Sequence, residues 1–169
     1  MPRVLRFFGL WLATLAGLSA AETAPPHPPV WAFYYAWYDT PTDPNGRWSF
    51  WADKQVAGQP TRWHSPAQPL VGVYDSTDAA TVAWHLQLAD AAGLDAFLVS
   101  WWGGANVSGQ AFEKVIIPAA AKTNVKVALN CELAQFHTEV PRLAEQLSAV
   151  LLRTKDQPGY LRRDGKPVV

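Results

Sequence analysis

Cysteine is almost absent. Cys131 is the only one in 169 residues, so no internal disulfide can form and stability has to come from packing. Charge of either sign is also scarce and evenly matched, with 14 Lys and Arg against 14 Asp and Glu. No basic stripe runs along any segment, which argues against nucleic acid as a partner. His27, His64, His85 and His137 stand far apart, without the close spacings of a metal site. A glycine-rich phosphate fingerprint, a P-loop and a nucleophile elbow are all missing. No metal and no organic cofactor is therefore expected.

Long apolar runs are missing as well, except at the start. Arg3 and Arg6 precede an apolar stretch from Phe7 to Leu18, and Ser19-Ala20-Ala21 supplies small residues of the kind a signal peptidase reads. The run is short for a membrane span of about 20 residues. Residues 1–21 are therefore read as a cleaved signal peptide, giving an exported chain, secreted or periplasmic, with no membrane attachment after cleavage. Residues 22–29, ETAPPHPP, follow as a proline-rich linker.

What the sequence does have is tryptophan, nine in all and eight past the leader. Trp is bulky, half polar and rarely buried completely. So many outside regular elements suggest a flat apolar ligand surface in addition to a core. From residue 30 the order of elements is legible. VWAFYYAW (Val30–Trp37) reads as a strand, and residues 38–74 as a long, ordered loop rich in Pro, Gly, Asp and Trp. Ser76-Thr77-Asp78 starts a helix that ends at Gly93, with Val82, Leu86, Ala89 and Ala92 along one face. Leu94–Trp102 is a second strand. Gln110–Lys122 is a second helix with Pro118 as a kink or early break. Val125–Glu132 is a third strand, and Thr138 caps a third helix with a stripe of Val140, Leu143, Leu147, Val150 and Leu151. Asp164-Gly165 then turns into Lys166-Pro167-Val168-Val169, the start of a fourth strand.

Strands alternating with helices imply a parallel sheet with crossover helices. The pattern opens like a (β/α)8 TIM-type barrel, yet such barrels need about 250 residues. Residues 30–169 are accordingly read as the N-terminal half of a barrel domain, three βα units and the beginning of a fourth strand. A small open-sheet binding domain is the rival, although it lacks a phosphate loop and a closing strand.

Ligands of α/β proteins sit at the carboxyl ends of strands. Trp101 and Trp102 end the second strand ahead of Gly103-Gly104, and alternation sends one to the lumen and the other to the helices. Tyr34 and Tyr35 alternate in the same way. Glu132 closes the third strand, where a carboxylate is costly unless paired or functional. It is the one good acid–base candidate. A glycosidase normally needs two carboxylates, and no convincing partner is present. Asp39 is a loop carboxylate, Asp75 a turn or capping residue, and Asn106-Val107-Ser108 has the form of a glycosylation sequon.

FYYAWY (Phe33–Tyr38), PLVGVYDSTD (Pro69–Asp78), WHLQLADAAGLDAFLVSWWG (Trp84–Gly103) and KVALNCE (Lys126–Glu132) together resemble glycoside hydrolase family 99 and its bacterial relatives. The resemblance implies a (β/α)8 barrel that cleaves α-mannosidic bonds within glycans, endo-acting, retaining and metal-free. It implies that the two catalytic glutamates lie in the second half of the barrel, so that this chain alone is inactive. It also implies that Tyr34 or Tyr35, Trp102 and Glu132 line sugar subsites. Tyr38-Asp39 and Asn130-Cys131 depart from the family's usual residues, which leaves an α-glucanase-like specificity open. A non-catalytic carbohydrate-binding protein is the alternative from another class.

Overall fold

The computed structural model describes residues 27–41, 48–56, 59–136 and 139–169. The leader, most of the linker, His137 and Thr138 lie outside the described residues. At the centre is a three-stranded parallel sheet in the order β1-β4-β5, built from Trp31–Tyr34, Ala96–Trp101 and Lys126–Cys131. Helices α1 (Ala79–Ala91), α2 (Val107–Ala111), α3 (Ile117–Ala120) and α4 (Val140–Thr154) pack around one face of it. The expected alternation of parallel strands and helices is therefore present.

The first strand is shorter than its sequence suggests, because the ladder to β4 ends at the pair Tyr34 and Val99. The long loop also holds an element that the reading missed. Residues Ala52–Val56 (β2) and Gln59–Trp63 (β3) form an antiparallel hairpin, interrupted by register shifts. The loop is tied down by aromatic and polar contacts. Trp51 is buried and its indole donates to the Tyr74 carbonyl at 2.7 Å. Tyr38 and Ser76 bond reciprocally, the Tyr38 N–H to Ser76 Oγ at 2.9 Å and the Ser76 N–H to the Tyr38 carbonyl at 2.8 Å. Asp75 is a turn residue whose carboxylate accepts from the Thr77 N–H at 2.7 Å.

Helix α1 starts where its cap predicts. Asp78 accepts from the Ala80 N–H at 2.9 Å and from the Thr81 hydroxyl at 2.8 Å. It ends in a Schellman motif, since Gly93 has φ +75°, its N–H bonds to the Asp90 carbonyl, and the Leu94 N–H reaches the Ala89 carbonyl. Val82, Leu86 and Ala89 are buried as their spacing requires, whereas Ala92 caps the end and is exposed.

The second helical region begins earlier than expected. Asn106, the first residue of the sequon, is the N-cap of α2 and accepts from the Ser108 N–H at 3.1 Å. Pro118 lies in the short α3, which ends at Ala120, ahead of the expected Lys122. A π-helical segment, Phe112–Ile116, sits directly before it, and its wider turn absorbs the missing N–H and the ring clash. In α4 the N-cap position is held by Glu139 with no side-chain cap. Leu143, Leu147, Val150 and Leu151 pack inward, but Val140 at the head of the stripe is exposed.

The expected fourth strand is placed differently. The neighbour of β5 is Tyr160–Leu161, where the Val127 N–H bonds to the Gly159 carbonyl and the Leu161 N–H to the Val127 carbonyl. Lys166–Pro167 (β7) instead folds back on Arg162–Arg163 (β6) across the Asp164-Gly165 turn. A two-residue turn with positive φ at both positions matches strand twist and favours this hairpin over continuation.

Helix α2 lies unusually close to the β4–α2 loop. A Cβ on Gly109 would stand 2.3 Å from the Gly103 carbonyl oxygen and 2.9 Å from Gly104 Cα, both backbone atoms. Alanine in a helix normally gains about 1 kcal/mol over glycine. Here Gly109→Ala should lose about 1–3 kcal/mol through overpacking, read as a lower urea midpoint at constant m-value. A stabilised Gly109→Ala variant would contradict this packing.

Candidate functional site

Strand alternation divides the sheet's side chains between a helix-covered face and a helix-free face. On the covered face, Ala32, Tyr34 and Ala36 join Phe97, Val99 and Trp101 and then Val127, Leu129 and Cys131 in the main core. Trp31, Leu98, Ala96 and Ala128 belong to a smaller cluster on the opposite side. Following the same period beyond the ladder, Tyr35, Trp37, Ser100, Trp102, Asn130 and Glu132 gather at the carboxyl ends of the three strands on the helix-free face.

Their contacts bear this out. The Trp102 indole N–H donates to Ser100 Oγ at 3.0 Å, and the Ser100 hydroxyl donates to Glu132 Oε1 at 2.7 Å. Asn130 Nδ2 donates to the same oxygen at 3.0 Å. The main-chain N–H of Trp102 is held by Ser108 Oγ at 3.1 Å, which fixes the strand end to the head of α2. Beside this polar chain runs an aromatic one. Tyr35 stacks on Trp37 at 4.6 Å between ring centroids, Trp37 stacks on Phe50 at 4.9 Å, and Trp37 meets Trp102 at 6.0 Å with planes tilted by 56°.

Phe50 adopts φ +63°, a left-handed conformation uncommon for a bulky residue. Two cavities open next to these groups and share Ala105 and Asn106 as walls. One, of about 310 Å³, is bounded by Trp102, Gly103, Phe136, Arg142 and Gln146. The other, of about 320 Å³, is bounded by Trp37, Asp39, Ser49, Phe50 and Val107.

The structure separates the five residues singled out by sequence. Tyr35, Trp102 and Glu132 come together on the helix-free face. Tyr34 does not join them. It lies on the covered face, its hydroxyl 2.9 Å from His85 Nδ1 on α1 and its ring stacked 4.8 Å from Phe97. Burial pushes its phenol well above the ordinary value. Trp101 is likewise corrected to a packing residue, fully buried and stacked on Phe136, because it is the partner that alternation sends toward the helices.

Sequence reasoning missed Trp37, Phe50, Ser100 and Asn130 as members of the site. For three of them the signal was available, since Trp37, Ser100 and Asn130 each stand two positions from a residue already chosen. Phe50 gave none, because its contact depends on how the loop returns. Among the described residues no group of His, Cys, Asp and Glu could hold a metal ion, and no helix is long and apolar enough to cross a membrane.

Parallel strands covered on one face by helices, with aromatic and carboxylate side chains collected at their carboxyl ends, form part of an α/β barrel. The sequence profile of glycosyl hydrolase family 99 matches residues 27–169. The chain belongs to that family. A glycoprotein endo-alpha-1,2-mannosidase-like protein of Danio rerio is 27% identical to it, over 64% of this chain and 29% of the relative.

Two solved structures of the family 99 endo-alpha-mannosidase from Bacteroides thetaiotaomicron share the fold. One, in complex with bis-tris-propane, superposes with a TM-score of 0.67 at 24% identity, covering 82% of this chain and 39% of that one. The other gives 0.66 at 23% identity, covering 82% and 43%. The chain thus spans well under half the length of these relatives.

The Tyr34–His85 contact generates a stability prediction. Burial holds the His85 imidazole below its ordinary value of 6.5, so as pH falls through that value the unfolded chain takes up a proton before the folded one. Stability conferred by neutral His85 is complete above 6.5 and is lost progressively below it. His85→Gln should flatten the loss of urea stability between about pH 6.5 and 5. An unchanged pH profile in this variant would show that His85 does not carry it.

Proposed function

We propose that this chain forms the sugar-binding part of a glycoside hydrolase that acts on α-linked, mannose-type glycans. The observation that carries the reading is the pairing of Trp102 with Glu132 through Ser100 on the helix-free face. An indole face suits the C–H side of a pyranose ring, and a carboxylate fixed beside it accepts hydrogen bonds from the ring hydroxyls. Tyr35, Trp37 and Phe50 extend that apolar wall. The family match and the names of the relatives support α-mannosides as the class of glycan.

In this reading the residues of the chain bind and orient the sugar and do not supply a carboxylate pair for cleavage. Glu132 is tied by Ser100 and Asn130 as an acceptor. The same observation favours, as the second reading, a carbohydrate-binding protein without hydrolytic activity. Export through residues 1–21 belongs to either reading and fits a protein that meets glycans outside the cytoplasm.

Calorimetric titration with α-1,2-mannobiose tests the proposal. Trp102→Ala and Glu132→Gln should each weaken binding about tenfold, a difference of about 1.4 kcal/mol. Trp101→Phe, on the covered face, should leave affinity unchanged. Equal affinity in the wild type and in both helix-free-face variants would remove those residues from the site.

A further inference from the structure

We propose that Ser100 is the positioning residue of this face, the group that sets the angle of the Trp102 ring relative to the Glu132 carboxylate. The proposal rests on the sugar-binding reading above and adds to it a residue that the family match does not mark out. Three observations converge on Ser100. It is fully buried near the carboxyl end of the β4–β5 pairing, opposite Asn130. Its hydroxyl is used twice, accepting from the Trp102 indole at 3.0 Å and donating to Glu132 at 2.7 Å. The directions follow from the indole, which only donates, so the hydroxyl oxygen accepts from it and the hydroxyl proton goes to the carboxylate.

Aromatic stacking does not fix the Trp102 ring. Its contact with Trp37 is tilted by 56° at a centroid distance of 6.0 Å, looser than the two stacked pairs beside it. The bond to Ser100 therefore decides the orientation. Glu132 is held more redundantly, because Asn130 donates to the same oxygen at 3.0 Å. Removing the hydroxyl should free the indole first and the carboxylate second. Among the described residues Oε2 of Glu132 receives no hydrogen bond, so the fixed pair presents one apolar ring face and one acceptor. That combination selects a pyranose ring whose C–H face and an equatorial or axial hydroxyl fall on adjacent sides.

The test follows the Trp102 indole N–H by nitrogen-15 NMR on the full chain, with Trp102→Phe identifying the signal. Ser100→Ala should move that signal and raise its hydrogen-exchange rate about tenfold, as expected for loss of a half-buried bond. Ser100→Thr, which keeps the hydroxyl, should restore it to within about twofold. Affinity for α-1,2-mannobiose should follow the same order.

If Ser100→Ala does not fold, Ser100→Cys carries the test, since it keeps nearly the same shape but offers the indole only a weak sulfur acceptor. An indole signal indifferent to both variants, or one that threonine does not restore, would overturn the proposal. If the indole responds as stated but the wild type binds no mannobiose, the positioning role stands and the glycan reading falls.

Discussion

Successive side chains on β4 point to opposite faces of the sheet, and the helices cover only one of them. Phe97, Val99 and Trp101 go to the covered side and Ser100 and Trp102 to the other. That sorting is set by the two-residue period of a strand and cannot be altered one residue at a time. Because β1, β4 and β5 are parallel and in register, the same division runs across all three. It places apolar bulk against the helices and leaves Tyr35, Trp37, Trp102 and Glu132 at a common mouth.

The mouth is organised by polar groups whose positions are costly unless they pair. A buried hydroxyl without partners costs about 1–3 kcal/mol, and Ser100 avoids this by using both its proton and a lone pair. Where pairing fails the structure retains the cost. The indole nitrogens of Trp37 and Trp101 are buried with no hydrogen-bond partner among the described residues. Trp101 is therefore kept for its volume and its stacking on Phe136, and Trp37 for its place between Tyr35 and Phe50. The left-handed Phe50 is a further local cost, offset in part by its ring lying on Trp37.

Much of the frame could be read from the residues. Asp78 and Gly93 bracket α1 because a short carboxylate and a left-handed glycine are local devices that need no tertiary context. The strands at Ala96–Trp101 and Lys126–Cys131 were legible as apolar runs. The readings that failed depended on distant partners. The hairpin at residues 52–63 carries no apolar alternation, so its pairing was invisible. Asn106 caps α2, a role its sequence neighbours did not announce. Pro118 marks a disturbed helix as read, but the form of the disturbance, a π turn before it and an end at Ala120, was not legible. At the site, alternation gave two tyrosines and two tryptophans without saying which of each faced outward, since strand period carries no sign until the helices are placed.

Membership of glycosyl hydrolase family 99 accounts for the fold and for the strand-end position of the site. The central claim is narrower, that the helix-free face meets sugar and the covered face does not. Titration of the nitrogen-15-labelled chain with α-1,2-mannobiose, following the assigned tryptophan indole signals, tests it most directly. The account predicts movement of Trp102 and Trp37 with Trp101 unmoved. A shift at Trp101 with Trp102 and Trp37 unchanged would contradict it.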